Sequence, residues 1–568
     1  MDRKLTRRDF LVTTGATGAA ALLVACGATA TPVPQATVAP TVAPTQAPTE
    51  APAQATQAPT EAPQAPEPTA TTAPVATDTP PAETAATGAS FSFPFGTDIG
   101  TFDHAFFTHM LEDYAQGLIL SNLVRFKPGS YELVNDLADT IEQSDDGLTV
   151  SFTLKQGVKW HRGYGEVTAE DVKFSYERLA GDDTASPYQG DWSSLDHVEV
   201  TDTYSGKIIF KEPYAPLWTT TMPTSSGRVL CKKYVEEVGS DKWGITNPIG
   251  SGPYVLEQWR PKELLIFKRN PDYFDKVAFD EIRFVFVADT NATQVALDAG
   301  ELDIAQIDVE ILPQYEGKAG YEAATFPSLG YSWIGMNIEN PKLQDIRVRQ
   351  AIRYALDVPS MLAAEGLSAE DQAFSLIPRG LLGYWADAPH YERDVEKAKS
   401  LLAEAGVTSL GLRYDCIAAA GGGNPTGEVA QANLAEAGIN VTINAMDASS
   451  YWTVGEGERA KGLELFSAGY YTQPDPAWCT MWFTCDQVGV WNWMRWCSEE
   501  FDSLHKQGMT TMDPAEREKI YIKMQQMWDE MCTSVFLTYG TGVWVWSDKI
   551  KTAFTPNGFA LLHFFEPA

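Results

Sequence analysis

The stretch that most constrains this chain runs from Asp145 to Arg178. It reads in succession as a turn, a strand, a tight loop and a helix. Asp146-Gly147 supplies the turn, and Val150, Phe152 and Leu154 alternate toward one face, the period of a half-buried strand. Gly157 and Gly163 break the next segment, which carries Trp160 and His161. Thr168, with Asp171 three residues on, has the spacing of a capping box. Val172, Tyr176 and Leu179 then give the following helix an i, i+4, i+7 apolar stripe. His161 sits in the turn, where a structural hydrogen bond is expected of it.

At 568 residues the chain is too long for one core and must divide into several units. A net charge of −33 excludes nucleic acid and adhesion to an anionic membrane face, both of which require basic patches. Sixteen tryptophans offer aromatic surface for stacking on a ligand, although most are expected in the core. The seven histidines are scattered, and with no Cys-x-x-Cys or His-x-His spacing the sequence predicts neither a metal site nor a cofactor. It holds no Gly-x-Ser-x-Gly or His-Glu-x-x-His motif, so no enzyme is predicted. A pair of carboxylates across a cleft would suit a glycoside hydrolase, but any acidic protein supplies such pairs by chance.

The first residues read as an address. Thr6-Arg7-Arg8-Asp9-Phe10-Leu11 is similar to a twin-arginine export signal, and the apolar run after it is too short for a comfortable membrane span. Leu23-Val24-Ala25-Cys26 matches a bacterial lipobox, which makes Cys26 the site of lipid attachment and residues 1–26 the signal. Acyl chains there would anchor the protein, each buried CH₂ contributing about 0.8 kcal/mol. Residues 27–90 are almost entirely Ala, Pro, Thr, Val and Gln, without apolar periodicity. Such a segment is expected to be a disordered stalk whose ends lie about 45 Å apart as a flexible coil.

Phe91 to Phe95 reads as the first strand of the folded part, and it enters a turn-rich loop through Asp98 and Thr101. Pro248, Gly250, Gly252 and Pro253 force a kinked connection into a hairpin, Tyr254 to Trp259 and Leu264 to Lys268. Because strands follow Gly250-Ser251-Gly252, it is not a phosphate loop. A helix ends at Gly300 and feeds a short strand. Beyond Tyr331 the chain alternates helix and strand, the mark of an α/β unit. Helices are expected at Pro341–Asp357, Tyr391–Ala405, from Asn424 to Gly438 and Asp513–Met531. Strands are expected at Leu410–Cys416, Val441–Ala445 and Ser534–Tyr539.

Four of these patterns together resemble one family. The strand, Gly157-Val158-Lys159-Trp160-His161 turn and Thr168-Ala169-Glu170-Asp171-Val172 helix start are similar to the signature of the family 5 extracellular solute-binding proteins of ABC importers. Asn247–Tyr254, Ala296–Ala305 and Asp345–Ile352 resemble further elements of it. The resemblance implies an α/β fold of the type II periplasmic-binding-protein kind, with two lobes and two interlobe crossings. Lobe I would comprise 91–331 plus 535–568, with an extra subdomain at about 133–244, and lobe II 332–534. It implies a monomer held outside the cytoplasmic membrane by its lipid, closing on a solute and delivering it to ABC permease subunits. A peptide is the expected cargo, an oligosaccharide of the same family the alternative. A surface receptor that senses or adheres without transport is a reading of another class.

In this family the loop after the first strand lines the ligand cleft, which brings in Asp98 and Thr101. Peptide-binding relatives carry an Asp three residues before an Asp-Pro, where a carboxylate pairs the peptide's α-ammonium. Here that position is Thr472, before Asp475-Pro476. Asp475 could take the role after a small loop shift, and Tyr470, Tyr471 and Trp478 could stack on a sugar or a side chain. Some relatives also close a loop with a disulfide, which would join Cys485 to Cys497 around Trp491, Asn492 and Trp493 and contribute about 3 kcal/mol. Pairing of Cys231, Cys416, Cys479 and Cys532 is not deducible from sequence.

Overall fold

The computed structural model describes residues 88–107, 110–287, 290–419 and 423–568. The export signal, Cys26 and the stalk up to residue 87 lie outside the described residues. Ser90, expected as the end of the stalk, already belongs to the first strand, Ser90–Phe95, where it pairs with Glu281.

That strand runs parallel to Glu281–Phe286, which continues antiparallel through Leu264–Arg269 to Tyr254–Arg260 in a four-stranded sheet. Phe91, Phe93 and Phe95 are buried in alternation. Phe93 meets Phe284, Tyr114 and Trp544 with ring centroids 5.1, 5.3 and 5.8 Å away. A three-stranded sheet beside it takes Thr541–Ser547 as its middle strand, between Ile304–Ile307 and Tyr321–Pro327. The end of the chain therefore completes the body that the beginning starts.

The signature stretch builds an antiparallel sheet in the order Ala138–Gln143, Thr149–Leu154, Ser205–Phe210 and Leu195–Asp202. Helix Ala169–Ala180 packs on it through the buried Val172, Tyr176 and Leu179. Asp171 caps that helix by accepting from the backbone N–H and the hydroxyl of Thr168, both at 2.9 Å. His161 is the tie to the neighbouring kinked connection. Its Nδ1 accepts from Gly250 N at 3.3 Å, which leaves Nε2 to donate to Gly252 O at 3.0 Å. Both glycines are required there, because a Cβ at either would fall within 2.5 Å of the Ile119 backbone. One apolar cluster runs from Phe91 through Tyr176 to Phe565. The signature sheet thus shares its core with the first sheet.

A second body forms around a five-stranded sheet ordered Ile439–Met446, Leu410–Ile417, Leu465–Tyr470, Tyr331–Met336 and Ser534–Phe536. The first three strands are parallel and the last two join antiparallel. Val535 and Phe536, expected with the first lobe, pair here with Ile334 and Trp333. Edge pairing holds the chain in this sheet until Phe536. The helix expected from Tyr391 starts at Val395, because the Asp394 carboxylate caps it by accepting from Lys397 N. Arg349 is buried and donates to the carbonyls of Leu343, Gln344 and Met531, so the arginines of helix Ile346–Ala355 include a structural staple. Two connections join the bodies side by side: Ser328 N donates to Gly540 O at 3.1 Å and Ser332 N to Thr538 O at 2.8 Å.

Burial lowers the pKa of His161 and His505 to about 4 and that of His563 to about 3. These imidazoles stay neutral in the folded protein while the unfolded chain protonates near pH 6.5. The contribution of these histidines is therefore complete above about pH 6.5 and is lost progressively as the pH falls toward 4, while the buried Asp191 carboxyl, pushed up to about 7 by desolvation, acts in the opposite sense. Urea midpoints measured between pH 7.5 and 4.5 should fall accordingly. His505→Gln should reduce the slope by about one proton, roughly 1.4 kcal/mol per pH unit.

Candidate functional site

Strand Leu465–Tyr470 delivers the loop from Tyr471 to Pro476 to the face between the two bodies. An ion pair inside the second body fixes this loop. Asp475 is 0 % exposed and accepts from Arg517 Nη1 and Nη2 at 2.8 and 2.7 Å, a bidentate fork. It also caps the short helix Pro476–Thr480 through Ala477 N at 2.9 Å. Its fourth contact comes from the first body, where the Thr219 hydroxyl donates to Oδ2 at 2.9 Å. Beside it Ala215 N donates to Met509 O at 2.8 Å. All four contacts belong to the fold, and Asp475 does not line the cavity described below.

Most of the other aromatic and polar side chains expected at the ligand are also engaged in packing. Tyr470 is buried against Trp333, Trp482 and Trp491, and its hydroxyl donates to the Trp491 carbonyl. Trp493 is buried so closely over Gly455 that a Cβ there would lie 2.0 Å from the indole. Asn492 is fully buried and ties its loop by donating to Phe483 O at 3.0 Å and Trp496 O at 2.6 Å. Cys485 and Cys497 are bonded across that loop. Trp478 and Trp491 are half-buried, and Tyr471 is 84 % exposed. Asp98 accepts from Ile99 N, and Thr101 Oγ1 from Asp103 N at 2.9 Å, both as local loop supports.

A cavity of about 290 Å³ opens between the bodies. Its second-body side consists of Leu329, Thr472, Gln473 and Pro474. Facing them are helix Met110–Ile119, the segment through Ser121 and Arg125, the Pro223–Arg228 turn and the C-terminal residues Thr555 to His563. Phe107, Tyr114, Phe126, Tyr131, Tyr273 and Phe559 give it aromatic walls. Of the expected ligand residues only Thr472 lines it. The ionisable lining was missed: Asp113, Arg125, Asp136, Arg228 and His563 come from distant segments, and no local pattern distinguishes them in sequence.

Each ionised group of the lining already has a partner. Arg228 pairs with Asp113 and also donates to Gln116 Oε1. Arg125 donates to Tyr273 Oη at 3.0 Å and Asp275 Oδ2 at 2.6 Å, and its Nη1 lies 3.4 Å from Asp136 Oδ1. Burial pulls the Arg228 pKa down and pushes that of Asp136 up, the ordinary cost of taking charge out of water. Among the described residues no three His, Cys, Asp or Glu side chains gather as metal ligands, and no helix is long and apolar enough to cross a membrane.

Residues 132–489, more than half of the chain, match the model of the bacterial extracellular solute-binding proteins, family 5. The chain belongs to that family. Di/tripeptide-binding protein 2 of Pseudomonas aeruginosa is 30 % identical over 447 residues, 72 % of this chain and 81 % of its own. The dipeptide-binding protein of Escherichia coli is 25 % identical over 453 residues, 74 % and 84 % of the two chains. The solved structure of HbpA2 from Haemophilus parasuis aligns with a TM-score of 0.75 at 23 % identity, covering 84 % of this chain and all of that one. Its likeness establishes the α/β periplasmic-binding-protein fold. The family 5 chain is thus a solute-binding protein of the ABC-importer type.

Asp475→Asn removes the countercharge of a buried guanidinium and should lower the unfolding free energy by about 3–5 kcal/mol in urea titrations. A loss under about 1 kcal/mol would show that water satisfies Arg517 instead.

Proposed function

We propose that this family 5 protein captures a short peptide in the cavity between its two bodies and delivers it to an ABC permease. The observation that carries the reading is the composition of the cavity wall. One side comes from the first body and the other from residues 472–474 of the second, so an occupant touches both and is enclosed by their approach. About 290 Å³ suits a ligand of a few residues at most. The di/tripeptide-binding relatives support peptide over other cargo.

In this reading the first lobe comprises residues 90–330 with 537–568 and the second 331–536, the signature subdomain at about 133–244 belongs to the first, and the paired connections at Ser328–Ser332 and Thr538–Gly540 act as the hinge. Twin-arginine export and acylation of Cys26 would place a monomer outside the membrane, on a stalk of residues 27–87. Such a protein binds and hands over its solute without altering it.

The rim contact of Thr219 with Asp475 and of Ala215 with Met509 belongs to the closed arrangement, and it opens when the bodies separate. Thr219 does not line the cavity, so it influences affinity only through the fraction of closed protein. A hydrogen bond to a charged group is worth about 1.5–3 kcal/mol. Thr219→Val should therefore weaken ligand binding by roughly tenfold or more, with a larger radius of gyration in solution scattering without ligand. A melting-temperature screen against di- and tripeptide pools tests the cargo, and a shift with oligosaccharides alone would overturn the peptide reading.

A further inference from the structure

The cavity sorts its polar groups in an informative way. The ionised ones are matched within the protein: Arg228 with Asp113, and Arg125 with Asp275 and Asp136. The second-body wall has no charge at all, since Leu329, Thr472, Gln473 and Pro474 make it up. Thr472 spends its hydroxyl hydrogen on the Leu329 carbonyl at 2.9 Å. The nearest acid in sequence, Asp475, is held by Arg517.

What is left over is mostly neutral, apart from Asp136 Oδ1 and Arg125 Nε, which make no hydrogen bond among the described residues but belong to one ion pair. Ser121 Oγ and His563 Nε2 line the cavity, are buried, and make no hydrogen bond among the described residues, and Tyr131 Oη has only the Asn557 backbone beside it. Burial keeps the His563 ring uncharged at physiological pH. Unsatisfied buried polar atoms of this kind are costly and call for an occupant that satisfies them.

An ammonium entering this space meets no carboxylate that lacks a cation. It would have to draw Asp113 away from buried Arg228, compete with Arg125 for Asp136, or remain unpaired, and each course is costly in a buried site. An amide or hydroxyl meets neutral donors and acceptors and incurs no such penalty. We propose that the cleft takes peptides whose amino end is uncharged, such as N-acylated or cyclic peptides, and discriminates against the free α-ammonium. This rests on the peptide reading of the preceding subsection. It names Thr472 as the residue that sets the preference, because a carboxylate there would have no competing cation on its own wall.

Isothermal titration of the full chain in detergent with matched ligands tests it: Ala-Leu, N-acetyl-Ala-Leu and cyclo(Ala-Leu). The acetylated or the cyclic form should bind at least tenfold more tightly than the free dipeptide at pH 6.5. Raising the pH to 9.5, above the α-amino pKa of about 7.7–8.0, should close most of that gap for the free dipeptide alone. Thr472→Asp should shift the ratio at least tenfold toward the free dipeptide. Equal or tighter binding of the free dipeptide by the wild type overturns the proposal while leaving the peptide reading intact. An unchanged ratio in a folded Thr472→Asp variant overturns the role of Thr472. If no peptide form binds and a neutral oligosaccharide such as maltotriose does, the peptide reading fails and this proposal fails with it. Should Thr472→Asp not fold, the wild-type comparison decides the proposal by itself.

Discussion

Arg517 and Asp475 are 42 residues apart in sequence and meet in the interior of the second body. Helix Pro514–Met531 contributes the guanidinium and the exit of strand Leu465–Tyr470 the carboxylate. Because the fork is bidentate and both partners are buried, the loop from Thr472 to Pro474 has little freedom to drift. The same carboxylate reaches the first body through Thr219. One anchored charge therefore fixes the wall of the cavity and records whether the two bodies are together. A neutral residue in place of Asp475 could not serve both purposes, since the rim hydrogen bond draws its strength from the charge that Arg517 holds in position.

The parts of the fold that could be read in sequence are those whose cause is local. Thr168 and Asp171 lie three residues apart and cap one helix. The alternation of Val150, Phe152 and Leu154 and the hairpin after Pro253 follow from a period of two and a forced turn. His161 as a structural tie also follows, because a histidine in a glycine-flanked turn has backbone within reach. Sheet order was not legible. Nothing local tells Val535 to pair with Ile334 rather than continue into the neighbouring body. The register of that edge strand is set by a partner two hundred residues earlier in the chain.

The cavity was less legible than the fold, for a physical reason. Its lining gathers short pieces from at least six separate segments, and none stands out from its neighbours in type or spacing. Aromatic density pointed instead to Tyr470, Trp491 and Trp493, which do not line this cavity. Large flat side chains bury the most area, so a cluster of them in sequence most often marks a place where a loop is packed down. Gly455 beneath Trp493 and the Cys485–Cys497 bond around the same loop belong to that packing. Asn492 was expected at a ligand and is spent on carbonyls of its own loop. What distinguished Thr472 was a departure from an expected charge, and that departure is visible one residue at a time.

Charge illustrates the difference between a property of the chain and a property of a site. The protein is acidic overall, with a net charge of −33, yet the lining has two aspartates and two arginines and no excess of either. Surface carboxylates are screened within about 8 Å at physiological ionic strength, so the global charge contributes little inside the cleft. There the balance is settled by pairs, Asp113 with Arg228 and Asp136 with Arg125, each bought out of water at a cost that only its partner offsets. A cleft built of closed pairs gives an incoming ion nothing to neutralise. Selection among ligands then falls to the neutral groups that remain, Ser121, Tyr131 and His563, and to the aromatic walls around them. An acidic protein can in this way favour an uncharged ligand end over a cationic one.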